Sequence, residues 1–233
     1  MIENARNGFE NAILINTRPV KTKDYLHAFL TESGLEHIME YDARKRGSRA
    51  FGLFSQGTIY TYRKEGDKFA SLRDSRVLKV RKRLLEPDCF LSAVPFVKVI
   101  AFFASKGPDG FYSLADECFD LLEEGMDSKR VFANFTERVF ACLGFASDYH
   151  ECPSCGKVFE PDEKLGYNTN MCAPACRECA DDFPVLLPGM RRYLSFIQDK
   201  GFREAAGVDI SAESIERVCA YESRRLGYMG VKV

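Results

Sequence analysis

Two pairs of cysteines carry most of the chemistry that this chain's spacing offers. Cys152-Pro-Ser-Cys155 and Cys176-Arg-Glu-Cys179 are Cys-x-x-Cys knuckles with 20 residues between them. Two residues between cysteines let both sulfurs turn toward one ion while backbone amides point at them. Two such knuckles supply the four thiolates of a tetrahedral zinc site. Gly156, directly after the first knuckle, suits the tight turn that such a loop needs. Cys172 has three residues between it and Cys176, still an allowed spacing, and stands as an alternative ligand. His150, two residues before the first knuckle, reads as a surface or capping residue. A redox pair is expected where a strand runs into a helix, and neither knuckle sits at such a junction. A catalytic zinc keeps one position open, usually with His among its ligands, whereas four thiolates close the shell. The expectation is therefore a structural zinc ion.

Other catalytic signatures are absent. There is no phosphate-cradling Gly-x-x-x-x-Gly-Lys-Ser/Thr, no His-Glu-x-x-His, no Gly-x-Ser-x-Gly and no dinucleotide fingerprint. Of the three histidines, His27 and His37 fall in predicted strands and read as barrel-surface residues. This moves the expectation from an enzyme toward a binding protein.

The elements that must position these groups change character along the chain. Residues 11–82 read as strands. "YLHAFLT" alternates with period two, Ser33-Gly34 marks a turn, and "LEHIMEY" follows as a further strand. "GTIYTYRKEGDKFASLRD" is a hairpin turning at Lys64–Asp67, and "RVLKVRK" closes the set as a last strand. Short strands without a long helical pattern predict a small barrel. Beyond residue 84 the period becomes helical. Val131, Phe132, Phe135, Val139, Phe140 and Leu143 share one helix face, with Ser128 as N-cap and Gly144 as stop. "SLADECFDLLEEG", "PGMRRYLSFIQDKG" and "ISAESIERVCAYESRRLG" are further helices, the last capped by Ser211 with Ile210 as a staple. The fold class expected is α+β multidomain. An N-terminal OB-fold barrel over residues 1–83 precedes an all-α helical domain over 84–233, with a four-cysteine zinc knuckle module inserted at about 150–182.

Charge follows the same division. Residues 1–85 carry 17 Lys/Arg against 10 Asp/Glu, and residues 86–233 carry 16 against 24. That asymmetry suggests two modules with different partners. No apolar run reaches the length of a membrane span, since "CFLSAVPFVKVIAFFAS" is interrupted by Pro95 and Lys98, and the N-terminus lacks a signal-peptide core. A cytoplasmic, nucleoid-associated location is expected. The basic residues cluster in the predicted barrel: Arg18, Lys21 and Lys23; Arg44, Lys45, Arg46 and Arg49; Arg63 and Lys64; and the run Arg76 to Arg83. Phe51, Phe54, Tyr60 and Tyr62 lie among them, and at least two of these rings are expected in the core. Cations along a groove with rings on which bases stack are what single-strand binding by such a barrel requires.

The order of these parts resembles the bacterial RecO family of recombinational repair proteins. "ILINTRPVKTKDYLHAFLTESG", the basic "ARKRGSR" loop, "LFSQGTIYTY", and then "ERVFACLGFASDYHECPSCGKVF" with a closing "CRECA" carry the resemblance over roughly residues 8–227. It implies a non-enzymatic mediator that binds single- and double-stranded DNA, anneals complementary strands and works with RecR. It also implies engagement of the acidic tail of single-strand-binding protein and help in loading RecA onto coated strands. The second knuckle departs from the family pattern, because "MCAPACRECA" offers three cysteines and leaves the ligand choice open. In the acidic helical half, Arg191, Arg192, Arg224 and Arg225 are the candidates for holding an acidic tail. Two rival readings stand beside this one: a zinc-ribbon adaptor that binds only protein, and a zinc-dependent nucleic-acid enzyme.

Overall fold

The computed structural model describes residues 6–42, 51–104 and 110–233. The chain forms two compact units, Met1–Ala93 with Ile100–Glu123, and Val94–Val99 with Glu124–Val233.

The first unit is built on a closed five-stranded barrel. Its strands are β1 (Arg6–Pro19), β2 (Tyr25–Thr31), β3 (Gly34–Glu40), β4 (Gln56–Arg63) and β5 (Ala70–Lys79), in the order β1-β2-β3-β5-β4. β1 serves two neighbours. Arg6–Ile13 pair with β4 and Ala12–Pro19 with β2, and an irregularity between Leu14 and Asn16 lets one long strand bend between them. A short parallel contact, Ile38 with Ala70 and Met39 with Ser71, closes the barrel. Ala12, Leu14, Phe29, Ile38, Phe51, Ile59 and Leu72 fill its interior. Gly57 is required where β4 crosses β5, because a Cβ there would stand 2.2 Å from the Arg76 carbonyl oxygen. "RVLKVRK", expected as a separate closing strand, instead continues "ASLRDS" within β5 as far as Lys79, because Asp74 and Ser75 stay paired with Tyr60 and Ile59 of β4.

A 3-10 turn at Arg83–Leu85 leads to α1 (Pro87–Phe103), and α2 (Phe111–Glu123) follows. The sequence reading placed no helix at α1, where Pro95 interrupts the apolar run. The helix forms nonetheless, with Pro87 in its first turn and Pro95 inside it. α2 belongs to the barrel's unit and is tied to it by charge. Arg81 is fully buried and donates to the Phe54 carbonyl at 2.6 Å, to Asp120 at 2.7 and 2.9 Å, and to Asp116. Lys79 adds a 2.7 Å contact to Asp120. These two cations from the expected basic run are thus part of the framework.

The second unit packs α3 (Ser128–Cys142), α4 (Pro188–Gln198), α5 (Phe202–Ala206) and α6 (Ala212–Tyr228) with a small antiparallel sheet. Its strands β6 (Leu165–Asn168), β7 (Ala173–Ala175) and β8 (Asp182–Leu186) run in the order β7-β6-β8. The core joins Ala133, Leu165, Tyr167, Leu186, Leu194, Ile197, Ile215, Val218 and Tyr221, with Ile210 and Cys219 packed at its edge. α3 is capped by Asp127 and not by Ser128: the Asp127 carboxylate accepts from the Arg130 amide at 2.9 Å, which makes Ser128 the first helical residue. Gly144, at φ 82, follows the helix end, and Ser211 caps α6. At the centre, Arg225 donates to Glu137, to both oxygens of Glu222 at 3.0 and 3.1 Å, and to Ser147 at 2.9 Å. Arg225 and Glu222 are 0% exposed. Among the described residues, no helix is long and apolar enough to cross a membrane.

Candidate nucleic-acid interface and thiolate cluster

The first knuckle is the tip of a short hairpin. Glu151 bridges Val158, the Phe159 amide donates to the His150 carbonyl at 2.8 Å, and the Cys152 amide donates to the Lys157 carbonyl at 2.9 Å. The Gly156 amide then donates back to the Cys152 carbonyl at 2.8 Å. Gly156 takes φ 72, a left-handed conformation that glycine adopts without strain. The second knuckle follows β7 directly. The Cys179 amide donates to the Cys176 carbonyl at 3.1 Å, and Asn168 Nδ2 donates to the Cys179 carbonyl at 2.7 Å, anchoring the turn to β6.

These two turns bring the sulfurs of Cys152, Cys155, Cys176 and Cys179 within 4.8 Å of one another. Cys172 is not among them. It is buried at φ 51 with its sulfur 3.5 Å from the Thr169 carbonyl and 3.5 Å from the Met229 sulfur. His150 stands beside Ser195, Nε2 to Oγ 3.2 Å. The donor set suits a soft divalent cation. A tetrahedral ion with bonds of about 2.3 Å places its sulfurs roughly 3.8 Å apart, and Cys155 and Cys176 are separated by 3.8 Å. Burial pushes the Cys152 thiol up, but amides of Cys176, Ser154 and Cys155 outweigh it and bring the thiol down to about 6. Cys179 is pushed up to about 12, because its thiol shares hydrogen bonds with Cys176 and Cys155. Four crowded thiols resist complete ionisation by themselves, and a cation reverses that resistance.

In the first unit, the pairing registers gather basic residues at one rim. Tyr25 lies opposite Glu40, and Ile38 opposite Ala70. The β1–β2 turn, the end of β3 and the β4–β5 turn therefore share one end of the barrel. Arg18, Lys21 and Lys23 are exposed around the first of these turns. Arg63 and Lys64 are exposed at the last, and the Lys64–Asp67 turn is closed by a 3.1 Å backbone hydrogen bond. Arg44, Lys45, Arg46 and Arg49 lie outside the described residues. Lys23 reaches Asp42 at 4.0 Å and Arg63 reaches Glu36 at 3.7 Å. Such exposed pairs are worth about 0–1 kcal/mol.

Phe51 and Phe54 are buried in the core, Tyr60 is exposed, and Tyr62 is half-buried beneath the Arg73 guanidinium at 4.6 Å. Arg73, with Lys68 over Phe69, extends the basic hairpin beyond the residues singled out from sequence. Their position just past the Lys64–Asp67 turn was the available signal. His27 is buried and not on the barrel surface: Nε2 meets Glu40 at 2.9 Å and Nδ1 meets Thr17 at 3.0 Å, so both ring nitrogens are engaged.

Residues 105–221 match the family described as recombination protein O C terminal. The chain belongs to the recombination protein O (RecO) family. No curated protein matches it. The RecO stretch matched here includes α2 to α5, the four-sulfur cluster and most of α6, and it marks the chain as a DNA recombination and repair protein. The closed barrel ahead of it is OB-like. In this RecO chain, of the four candidate arginines for an acidic tail, Arg191 and Arg192 line one cleft, and Arg224 and Arg225 are engaged by carboxylates. Arg225 is enclosed among Glu137, Glu222 and Ser147. Arg224 is paired with Asp182. Arg191 is buried and donates to the Glu160 and Pro161 carbonyls at 2.7 and 2.9 Å, while Arg192 beside it is exposed.

Proposed function

We propose that the protein is a non-enzymatic mediator of recombinational repair. It binds single- and double-stranded DNA through the barrel rim and anneals complementary strands. With RecR, and through the acidic tail of single-strand-binding protein, it helps load RecA onto coated DNA. The observation that carries this reading is the gathering of Arg18, Lys21, Lys23, Arg63 and Lys64 at one end of an OB-like barrel in a chain of this family. Arg44, Lys45, Arg46 and Arg49 add to the same loop system in sequence.

The chemistry is electrostatic. Each phosphate neutralised by Lys or Arg releases condensed counterions, so binding has little base preference and weakens steeply with salt. Two polyanionic strands approach each other once a basic surface screens both. Cys152, Cys155, Cys176 and Cys179 would hold zinc, which would supply a cross-link between the two loops. The four cysteines hold structure and leave the reaction to charge and geometry. Replacing Arg44, Lys45 and Arg46 together by Glu is expected to abolish binding to a labelled single strand while leaving the melting transition in place. Unchanged affinity in that variant removes the barrel loops from the account, and a wild-type protein that shifts no DNA favours the protein-only adaptor.

A further inference from the structure

The second unit carries a cleft of about 280 Å³ beside α4, lined by His150, Phe159, Arg191, Arg192, Ser195 and Phe196 among others. We infer that this cleft is a second nucleic-acid site, taking one phosphate of single-stranded DNA together with its base. The inference rests on the DNA-binding reading above and adds a contact outside the barrel.

Arg191 is 7% exposed. Its Nη2 is satisfied by the Glu160 and Pro161 carbonyls, but its Nη1 is buried without a hydrogen-bond partner. A buried guanidinium N–H without an acceptor is unfavourable, and Arg191, held by two carbonyls and by no carboxylate among the described residues, gives the cleft wall a fixed positive charge. Arg192 is the second cation. Its side chain is 65% exposed, and its partner Asp162, at 3.4 Å, is 92% exposed, so a phosphate displaces that pair easily. His150 and Ser195, 3.2 Å apart, add a polar wall. The apolar part is a platform: the Phe196 ring is 57% exposed, with Lys200 Nζ 4.6 Å from its centroid. An open ring flanked by cations is the arrangement on which unpaired bases stack.

Two cations, one of them partly neutralised, match the single charge of one phosphate. A run of carboxylates in an acidic peptide requires a row of cations, which the lining does not provide. The volume is that of roughly one nucleotide, at the low end of small-ligand sites.

The test uses the full chain and a thymidine 20-mer with 5-iodouracil at one central position. Irradiation is expected to cross-link the peptide that contains Phe196. Phe196→Ala is expected to weaken binding about fivefold or more, and Arg192→Glu to reduce the salt slope by about one. Both positions are exposed, so folding is preserved. Cross-links confined to residues 1–83, with wild-type affinity in both variants, overturn the cleft site while leaving the barrel reading intact. Binding of an aspartate-rich peptide that both variants weaken, with DNA affinity unmoved, overturns it in favour of a protein partner. Wild-type protein that fails to bind the strand at all sinks both readings.

Discussion

Arg225 sits between two carboxylates in the interior of the second unit, and its removal is the sharpest perturbation the structure offers. Arg225→Met keeps an unbranched apolar stem but removes the donors to Glu137, Glu222 and Ser147. It also removes the cation 4.1 Å above the Phe140 ring. Two acidic groups then remain where water does not reach. Breaking a buried ion pair on one side costs about 3–5 kcal/mol, and at about 2–4 °C per kcal/mol the melting midpoint falls by roughly 6–20 °C. Glu222→Gln should behave differently. One guanidinium neutralises one carboxylate, and burial drives the Glu222 carboxyl well above its ordinary 4.5, favouring its neutral form. A neutral amide mimics that state, and the expected loss is under about 1 kcal/mol. The raised carboxyl also sets a pH dependence. Its contribution is fully present below about pH 4.5 and is lost as pH rises through the raised value in the folded protein. Urea unfolding of wild type and both variants between pH 5 and 9 measures all three effects. If Glu222→Gln is as damaging as Arg225→Met at neutral pH, or leaves the alkaline decline unchanged, the account of a raised Glu222 carboxyl is wrong.

Three further outcomes follow from the geometry. Cys155→Ser or Cys179→Ser is expected to lose the zinc ion and lower the melting temperature, whereas Cys172→Ser retains about one ion per chain by elemental analysis. Replacing Arg18, Lys21 and Lys23 by Glu is expected to reduce the slope of log affinity against log salt by about three, read by fluorescence anisotropy on a single strand. Asp120→Ala removes the carboxylate shared by Arg81 and Lys79 but leaves Asp116 on Arg81, and is expected to cost about 1–3 kcal/mol in chemical denaturation. Lys79→Ala, at a side chain 39% exposed, is expected to cost less than about 1 kcal/mol.

Local patterns were readable in the sequence where one periodicity or one turn decided the outcome. The polar turn between β4 and β5 and the apolar face of α3 are of this kind. So is the grouping of four cysteines, because the knuckle spacing is itself local. β2, by contrast, is buried from Leu26 to Thr31 and shows no alternation in burial. What was not readable depends on distant partners. Arg81 and Arg225 look like solvent-facing cations until Asp116 and Asp120, or Glu137 and Glu222, are folded against them. α1 is apolar around most of its circumference and contains Pro95, so neither amphipathicity nor propensity marks it. α5 has five residues and β7 three, too short for a period to appear. At the start of α3, Asp127 and Ser128 are both good caps, and only the backbone geometry separates them.

The double duty of β1 has a consequence for how the protein is made. The strand leaves the ribosome ahead of both partners, yet half of its edge is unclaimed until β4 is synthesised, and the barrel closes only when Ala70 and Ser71 reach β3. For that interval the nascent chain displays an open, apolar strand margin of the kind that recruits other chains. Slowing translation past residue 79, or supplying a holdase during it, should therefore change the yield of native protein more than any comparable intervention in the helical half.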